Sequence, residues 1–272
     1  MNMNVTFIGG GNMATAMIGG LIKNGWAAES IFVVDVEAAA RDRLHRAFNV
    51  KVAPALDALS ATAECIILAV KPQQVRECAQ ALLRFLGSQL VISIAAGIRL
   101  ADLSRWLGHH QKIVRVMPNT PALERVGVSA LCATAVVTDD ERARAEKVMS
   151  AVGTTLWIDE SRMDAVTAIS GSGPAYVFYF IESLERAALE LGFEPADAQR
   201  LALATFAGAV KLAQASTEDA ATLRARVTSR GGTTERALAV MEEAKVREAI
   251  VRAARAAAER SRELGDELGR DA

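Results

Sequence analysis

Phe7-Ile8-Gly9-Gly10-Gly11-Asn12-Met13-Ala14 is the stretch that decides the fold. It fits G-x-G-x-x-A, and it stands where that string carries meaning: behind the apolar run Val5 to Ile8 and ahead of an amphipathic stretch over residues 12–24. Each small residue has a physical task. Gly9 permits the tight turn, Gly11 lets a pyrophosphate approach the backbone, and Ala14 lets helix and strand pack closely. Gly10, Asn12 and Met13 complete the turn and the first helical turn. The free N–H groups there, at the positive end of the helix dipole, suit phosphate. A glycine turn without a ligand is the competing reading, but the strand–turn–helix–strand unit is complete through Asp35.

Asp35 ends the second strand-like run. An acid there bonds ribose hydroxyls and favours NAD over NADP, unless it is a simple strand-end turn residue. Arg41 and Arg43 follow, suited either to a 2′-phosphate or to a solvated helix face, so the cofactor expected is NADP or NAD. Ala69-Val70-Lys71-Pro72 ends another apolar run, where open α/β sheets place their ligands. Lys71 is either a surface lysine or a residue lining the nicotinamide crevice.

Working outward, residues 31–34, 65–70, 90–94 and 113–117 are apolar-leaning runs, as suits strands covered on both faces. Helical patterns over 12–24, 37–48, 73–86 and 100–107 lie between them, and this alternation predicts a doubly wound α/β domain. Asp139-Asp140-Glu141 resembles a helix start leading to about residue 151, and a last strand over 154–158 closes the domain. From Ser161 on no strand is expected. Leu201, Ala204, Ala207 and Val210 share a helical face, as do Val246, Ile250, Ala254 and Ala257. The organisation expected is therefore an α/β domain over 1–160 and an all-helical domain over 161–272, with a polar tail from 259 that frays.

The chain of 272 residues is 51% hydrophobic and only 5% aromatic, so its apolar mass is small and aliphatic. That composition excludes a disordered chain. Thirty-one basic against thirty-two acidic residues give a net charge of −1, which speaks against nucleic acid as a partner. Cys65, Cys78 and Cys132 lack CxxC spacing, and His45, His109 and His110 lack HxxxH or HExxH spacing, so no metal site is expected. Cys65 and Cys132 sit in apolar runs and read as core. No window holds eighteen unbroken apolar residues and no leader pattern opens the chain. The expectation is a soluble, cytoplasmic protein with no membrane partner.

Two clusters of glycines and hydroxyls interrupt the helical half: residues 168–176 (Ala-Ile-Ser-Gly-Ser-Gly-Pro-Ala-Tyr) and 227–234 (Val-Thr-Ser-Arg-Gly-Gly-Thr-Thr). Glycine inside a helix costs roughly 1 kcal/mol against alanine, a cost tolerated where backbone must approach something closely. The second cluster precedes a helix starting near Thr233. Its amides and hydroxyls suit a small carboxylate, or simply cap a helix–helix turn.

These clusters, with residues 9–14, 69–72 and Val116-Met117-Pro118-Asn119-Thr120-Pro121, resemble the pyrroline-5-carboxylate reductase family, in the same order and over nearly the whole chain. The resemblance implies a Rossmann-type N-terminal domain and a helical C-terminal dimerisation domain, with homodimers often assembled into decamers. It implies NAD(P)H-dependent reduction of a small cyclic imine to proline. It also implies that Ser229, Gly231, Gly232, Thr233 and Thr234 bind the substrate carboxylate. The Thr234 hydroxyl would face the ring nitrogen as the catalytic candidate, and residues 9–14 and 69–72 would contact the dinucleotide. The chain departs from the pattern at Arg230, where the family usually has proline, and at Asp35, where many NADP-preferring members carry polar or basic residues. Two other readings share a Rossmann domain followed by helices. A 3-hydroxyacid dehydrogenase would want a lysine on the first long helix of the second domain, and residues 161–192 contain none. A nucleotide-sensing protein without turnover would lack the candidate hydroxyls, which are present.

Overall fold

The structure is a computed structural model describing residues 3–57 and 62–270. Val5, Thr6, Phe7 and Ile8 are all buried, and their alternation feeds two cores: Val5 and Phe7 pack on one side, Ile8 on the other. Neighbouring strands split likewise. Cys65 and Ile67 join the first core, while Ile66 and Leu68 join the second. A strand apolar on both faces is thereby explained by a sheet covered on both faces.

The strands are β1 (Val5–Ile8), β2 (Ile31–Val34), β3 (Lys51–Ala53), β4 (Cys65–Leu68), β5 (Leu90–Ser93), β6 (Ile113–Met117), β7 (Gly127–Ala133) and β8 (Gly153–Trp157). They lie in the order β3-β2-β1-β4-β5-β6-β7-β8. All pairs from β3 to β6 are parallel. β7 runs antiparallel to β6, and β8 runs parallel to β7. The order reverses beside β1, between β2 and β4, which places a ligand crevice at the carboxyl ends of those strands.

Helices α1 (Asn12–Lys23), α2 (Ala38–Phe48), α3 (Val75–Leu82), α4 (Leu100–Trp106), α5 (Asp139–Met149) and α6 (Met163–Val166) accompany the sheet. α1 buries Ala14, Met17, Ile18 and Leu21, the i, i+3, i+4, i+7 stripe of a core-facing helix. Gly20 on the same helix is obligatory, because a Cβ there would stand 2.2 Å from the Ala151 carbonyl oxygen. α5 opens with a capping box. Glu141 N–H donates to Thr138 Oγ1, and Thr138 N–H donates to the Glu141 carboxylate, which also accepts from Lys112 Nζ at 2.6 Å. Cys65 and Cys132 are buried as expected; burial pushes the Cys65 thiol far up and the Cys132 thiol up to about 12, so neither is a ready nucleophile.

From Gly173 on the chain is helical: α7 (Gly173–Glu190), α8 (Pro195–Ala215), α9 (Ala220–Arg226), α10 (Thr233–Glu243) and α11 (Val246–Gly269). The structure divides into two compact units. One is Gly173–Ala256; the other is the chain up to Ser172 together with the residues from Ala257 on. α7, α9 and α10 bury no residue, and α8 buries only Ala198 and Ala202. Leu201, Val210 and Ile250, on the two apolar faces read from the sequence, are exposed.

Three expectations need correction. β3 and β7 are strands that the apolar-run pattern did not reveal. β3 is three residues at the sheet edge beginning with an exposed lysine, and β7 reads Gly-Val-Ser-Ala-Leu-Cys-Ala, too rich in small residues to stand out. The tail from 259 does not fray: it is helix through Gly269, with Ser261 and Gly265 buried. Residues 271 and 272 lie outside the described residues. No helix among the described residues is long and apolar enough to cross a membrane.

Candidate dinucleotide crevice and hydroxyl-rich turn

The turn after β1 is held by its neighbours before any ligand arrives. Gly9 N–H donates to the Val34 carbonyl at 2.8 Å, and Ala69 N–H donates to the Ile8 carbonyl at 2.8 Å. Gly9 has φ 101°, and a Cβ there would stand 2.6 Å from the Ala69 carbonyl oxygen, so only glycine serves. At Gly11 a Cβ would meet nothing within 4 Å, and Gly11 caps α1 without any side-chain cap bond. The first turn of α1 therefore carries no side-chain cap, and the backbone at Gly11 is open to close approach. That combination, a turn pressed onto β4 at Gly9 and open at Gly11, fits a bound pyrophosphate.

Asp35 is brought onto the same turn. Its Oδ2 accepts from Gly10 N–H at 2.6 Å, and its Oδ1 accepts from Glu37 N–H at 2.8 Å. Arg43 Nη2 donates to the Gly10 carbonyl at 2.7 Å, while Arg41 Nη1 donates to the Asp35 and Val36 carbonyls at 2.7 and 2.9 Å. The Asp35 carboxylate and the Arg43 guanidinium thus brace the glycine turn while Arg41 holds the segment after β2, and each keeps acceptor or donor positions for a ribose or a 2′-phosphate. Lys71 is exposed and precedes the 3-10 turn Pro72–Gln74, so residues 69–72 leave β4 directly beside Gly9.

At the carboxyl end of β6, Asn119 ties three segments together. Its Oδ1 accepts from Val128 N–H at 2.9 Å, and its Nδ2 donates to the Ser170 carbonyl at 3.2 Å. Ser170 lies in a π-helical turn, Thr167–Gly171, closed by Ser172 N–H donating to the Thr167 carbonyl at 2.8 Å. Gly171 lets this turn sit against Met117, whose Cε would be 2.6 Å from an added Cβ. Gly171 thus packs against the tip of Met117, Gly173 has open space around it, and the π-turn itself is a feature frequent at functional sites. Sequence reading did not assign Asn119 a role of its own.

The hydroxyl-rich turn lies wholly in the helical unit. Gly231 takes φ 73°, Gly232 N–H donates to the Ser229 carbonyl at 3.0 Å, and Gly232 caps α10 without a side-chain bond. A Cβ at Gly232 would lie 2.4 Å from Ser229 Oγ, so Ser229, Gly231, Gly232, Thr233 and Thr234 are drawn into one small turn. Thr234 is half-buried, whereas Ser229, Arg230 and Thr233 are exposed. Glu235, which the sequence did not single out, places Oε2 2.6 Å from the Gly231 nitrogen and accepts its N–H. The Gly231 amide is therefore engaged by the chain's own acid, leaving Thr233 and Thr234 at the open helix end. Glu three positions after the helix cap is the signal that could have found it.

The sheet order, the glycine turn and its open helix end define a dinucleotide-binding oxidoreductase of Rossmann type, and residues 4–97 match the family described as NADP oxidoreductase coenzyme F420-dependent. Residues 160–264 match the family described as pyrroline-5-carboxylate reductase dimerisation. A pyrroline-5-carboxylate reductase of Pseudomonas aeruginosa is 43% identical over 267 residues, covering 97% of this chain and 98% of that one. The Escherichia coli enzyme of the same name is 36% identical, with 97% and 99% covered. Among solved structures, that of a pyrroline-5-carboxylate reductase from Coxiella burnetii superposes with a TM-score of 0.91 at 38% identity, covering 97% of this chain and 99% of that chain. The Plasmodium falciparum pyrroline carboxylate reductase with NADP bound superposes at 0.85 with 29% identity, covering 97% and 98%. The chain belongs to the pyrroline-5-carboxylate reductase family.

Proposed function

We propose that the chain reduces 1-pyrroline-5-carboxylate to proline, the last step of proline synthesis, with NAD(P)H as donor and the residues above in defined roles. The carrying observation is the glycine turn braced by Asp35 and Arg43 and open at Gly11, in a chain alike over nearly its full length to enzymes of this name. Gly9, Gly10, Gly11, Asn12, Met13 and Ala14 hold the pyrophosphate, Asp35 the ribose, and Ala69, Val70, Lys71 and Pro72 the nicotinamide side. Residues 1–160 are assigned to dinucleotide binding, and 161–272 to substrate binding and dimerisation.

When bound, the reduced nicotinamide supplies a hydride. The chain's part is to hold the imine carbon in line with it and to stabilise charge, which accounts for most of the rate in such transfers. A protonated imine would become a neutral amine, its C=N reduced to a single bond, on accepting that hydride, so the chain would need no strong general acid. The Thr234 hydroxyl orients the ring nitrogen, and the amides of Thr233 and Thr234, with the Ser229 hydroxyl, receive the substrate carboxylate. The assembly is a homodimer, built further into a decamer, and works in the cytoplasm.

The test follows loss of reduced-nicotinamide absorbance with pyrroline-5-carboxylate, using NADH and NADPH in parallel. Consumption with NADPH, and with NADH because Asp35 accepts ribose hydroxyls, is expected; none with either cofactor defeats the reading. Thr234→Ala is expected to lower kcat by about tenfold, the effect of roughly 1.4 kcal/mol for a lost positioning hydrogen bond. Full activity in that variant removes the role given to Thr234.

A further inference from the structure

Ser261, Gly265 and Gly269 recur every fourth residue and so share one face of α11. That face lies against the segment leaving β5. Gly97 takes φ 81°, and a Cβ on Gly265 would come within 3.2 Å of the Gly97 carbonyl oxygen and of Arg99 Nη2. A Cβ on Gly269 would stand 2.6 Å from Asp102 Oδ2, and Leu268 packs into the second core. Helix and loop meet backbone to backbone, as small residues allow.

Polar contacts lock this register. Arg99 Nη2 pairs with Asp266 Oδ1 at 2.6 Å and donates to the Arg262 carbonyl at 3.4 Å. Arg105 Nη2 donates to the Gly269 carbonyl at 2.6 Å, and Ser261 Oγ donates to Asp164 Oδ1 at 2.7 Å. The loop is also held at both ends. Ile94 N–H donates to the Leu68 carbonyl at 3.1 Å, and Leu100 N–H donates to Glu160 Oε1 at 2.8 Å. Leu68 and Ser93 are register partners, so residues 94–96 leave β5 beside residues 69–71 leaving β4.

We propose that Arg99 and Asp266 are positioning residues for the nicotinamide nucleotide: the last turns of α11 hold the loop over residues 94–99 at the edge of the crevice bounded by residues 69–71. This rests on the dinucleotide assignment given above. The pair touches neither cofactor nor substrate; it fixes the position of backbone that borders them. Since both side chains are partly exposed, the ion pair alone carries a modest effect, whereas a wedge at Gly265 displaces the loop directly.

The test measures NADPH Kd by fluorescence titration, KM for each substrate, kcat and Tm, on the full chain. Asp266→Asn is expected to raise Kd and KM for NADPH by about threefold, the scale of an exposed ion pair. KM for pyrroline-5-carboxylate and kcat should stay near wild type. The exchange Arg99→Asp with Asp266→Arg is expected to recover most of that loss. Gly265→Leu is expected to raise the NADPH Kd by about tenfold, the effect of roughly 1.4 kcal/mol. Unchanged NADPH affinity in both Asp266→Asn and Gly265→Leu overturns the proposal, as does a fall in Tm with no selective effect on NADPH. Because Kd is read without turnover, a chain that binds NADPH but does not reduce pyrroline-5-carboxylate overturns the function and still decides this inference.

Discussion

The α/β unit and the helical unit draw on the same small aliphatic alphabet and dispose of it in opposite ways. In the α/β unit, β1, β4 and β5 bury every residue. In the helical unit Phe178 and Tyr179 are two-thirds exposed, and so is Leu212 on α8. A helix that is apolar on a face its own chain does not cover is written for another surface. The match of residues 160–264 to a dimerisation family gives that surface its meaning. The lesson is that one unit's sequence encodes a monomer core, while the other leaves apolar faces that its own chain does not cover.

The comparison breaks most directly in the core. Phe7→Ala, at a fully buried strand position, is expected to cost about 3–5 kcal/mol, read as a lowered denaturation midpoint; a loss below 1 kcal/mol would mean the sheet is not the seat of stability. Next, Phe178→Asp combined with Leu212→Asp is expected to lower the assembly's mass in sedimentation. The expected penalty is about 2–3 kcal/mol of association, as for desolvated interface anchors. An unchanged mass would place the interface elsewhere. Gly9→Ala follows, its strain at φ 101° and its clash with the Ala69 carbonyl costing about 1–3 kcal/mol. It should weaken NADPH binding far more than it alters the assembly's mass, thereby separating the two units' tasks.

The smallest effect concerns pH. Burial pushes the His110 pKa down, although its ring meets the Gln89 carbonyl at 2.9 Å. The folded state thus favours the neutral ring, and the unfolded chain takes up a proton first as pH falls through about 6.5. Stability contributed by this group is present above that value and declines as the pH drops towards the folded pKa. His110→Gln is expected to flatten the change in Tm between pH 7 and 5; an unaltered slope would show that other groups carry it.

Most of the α/β architecture was legible because strands buried on both faces are predominantly apolar, a pattern residues 5–8, 65–68 and 90–93 display despite the buried Thr6 and Ser93. β3 and β7 were not legible, since an edge strand of three residues and a strand of alternating small residues leave no such trace. The glycine turn was readable from its spacing together with the strand-like run before it and the amphipathic stretch after it. The bracing of that turn by Asp35 and Arg43 was not, because it depends on side chains 25 and 33 residues away. Glu235 on the Gly231 amide was missed because a helix cap was sought in hydroxyls and not in the acid of the first turn. The ordering of the tail was hidden for a simpler reason: its face is made of Ser261, Gly265 and Gly269, which carry no apolar signal.

That tail has a consequence for how the protein is made. The α/β unit is discontinuous in the chain, completed by residues from Ala257 on after an excursion of 84 residues, Gly173–Ala256. On a ribosome emitting the chain from its amino end, the sheet emerges early, but the part of α11 that belongs with it follows only after that excursion. The segment over residues 97–105 must therefore wait for its partners on α11 through the synthesis of the entire helical excursion. An expressed fragment cut at the end of the sheet would carry that vacancy permanently.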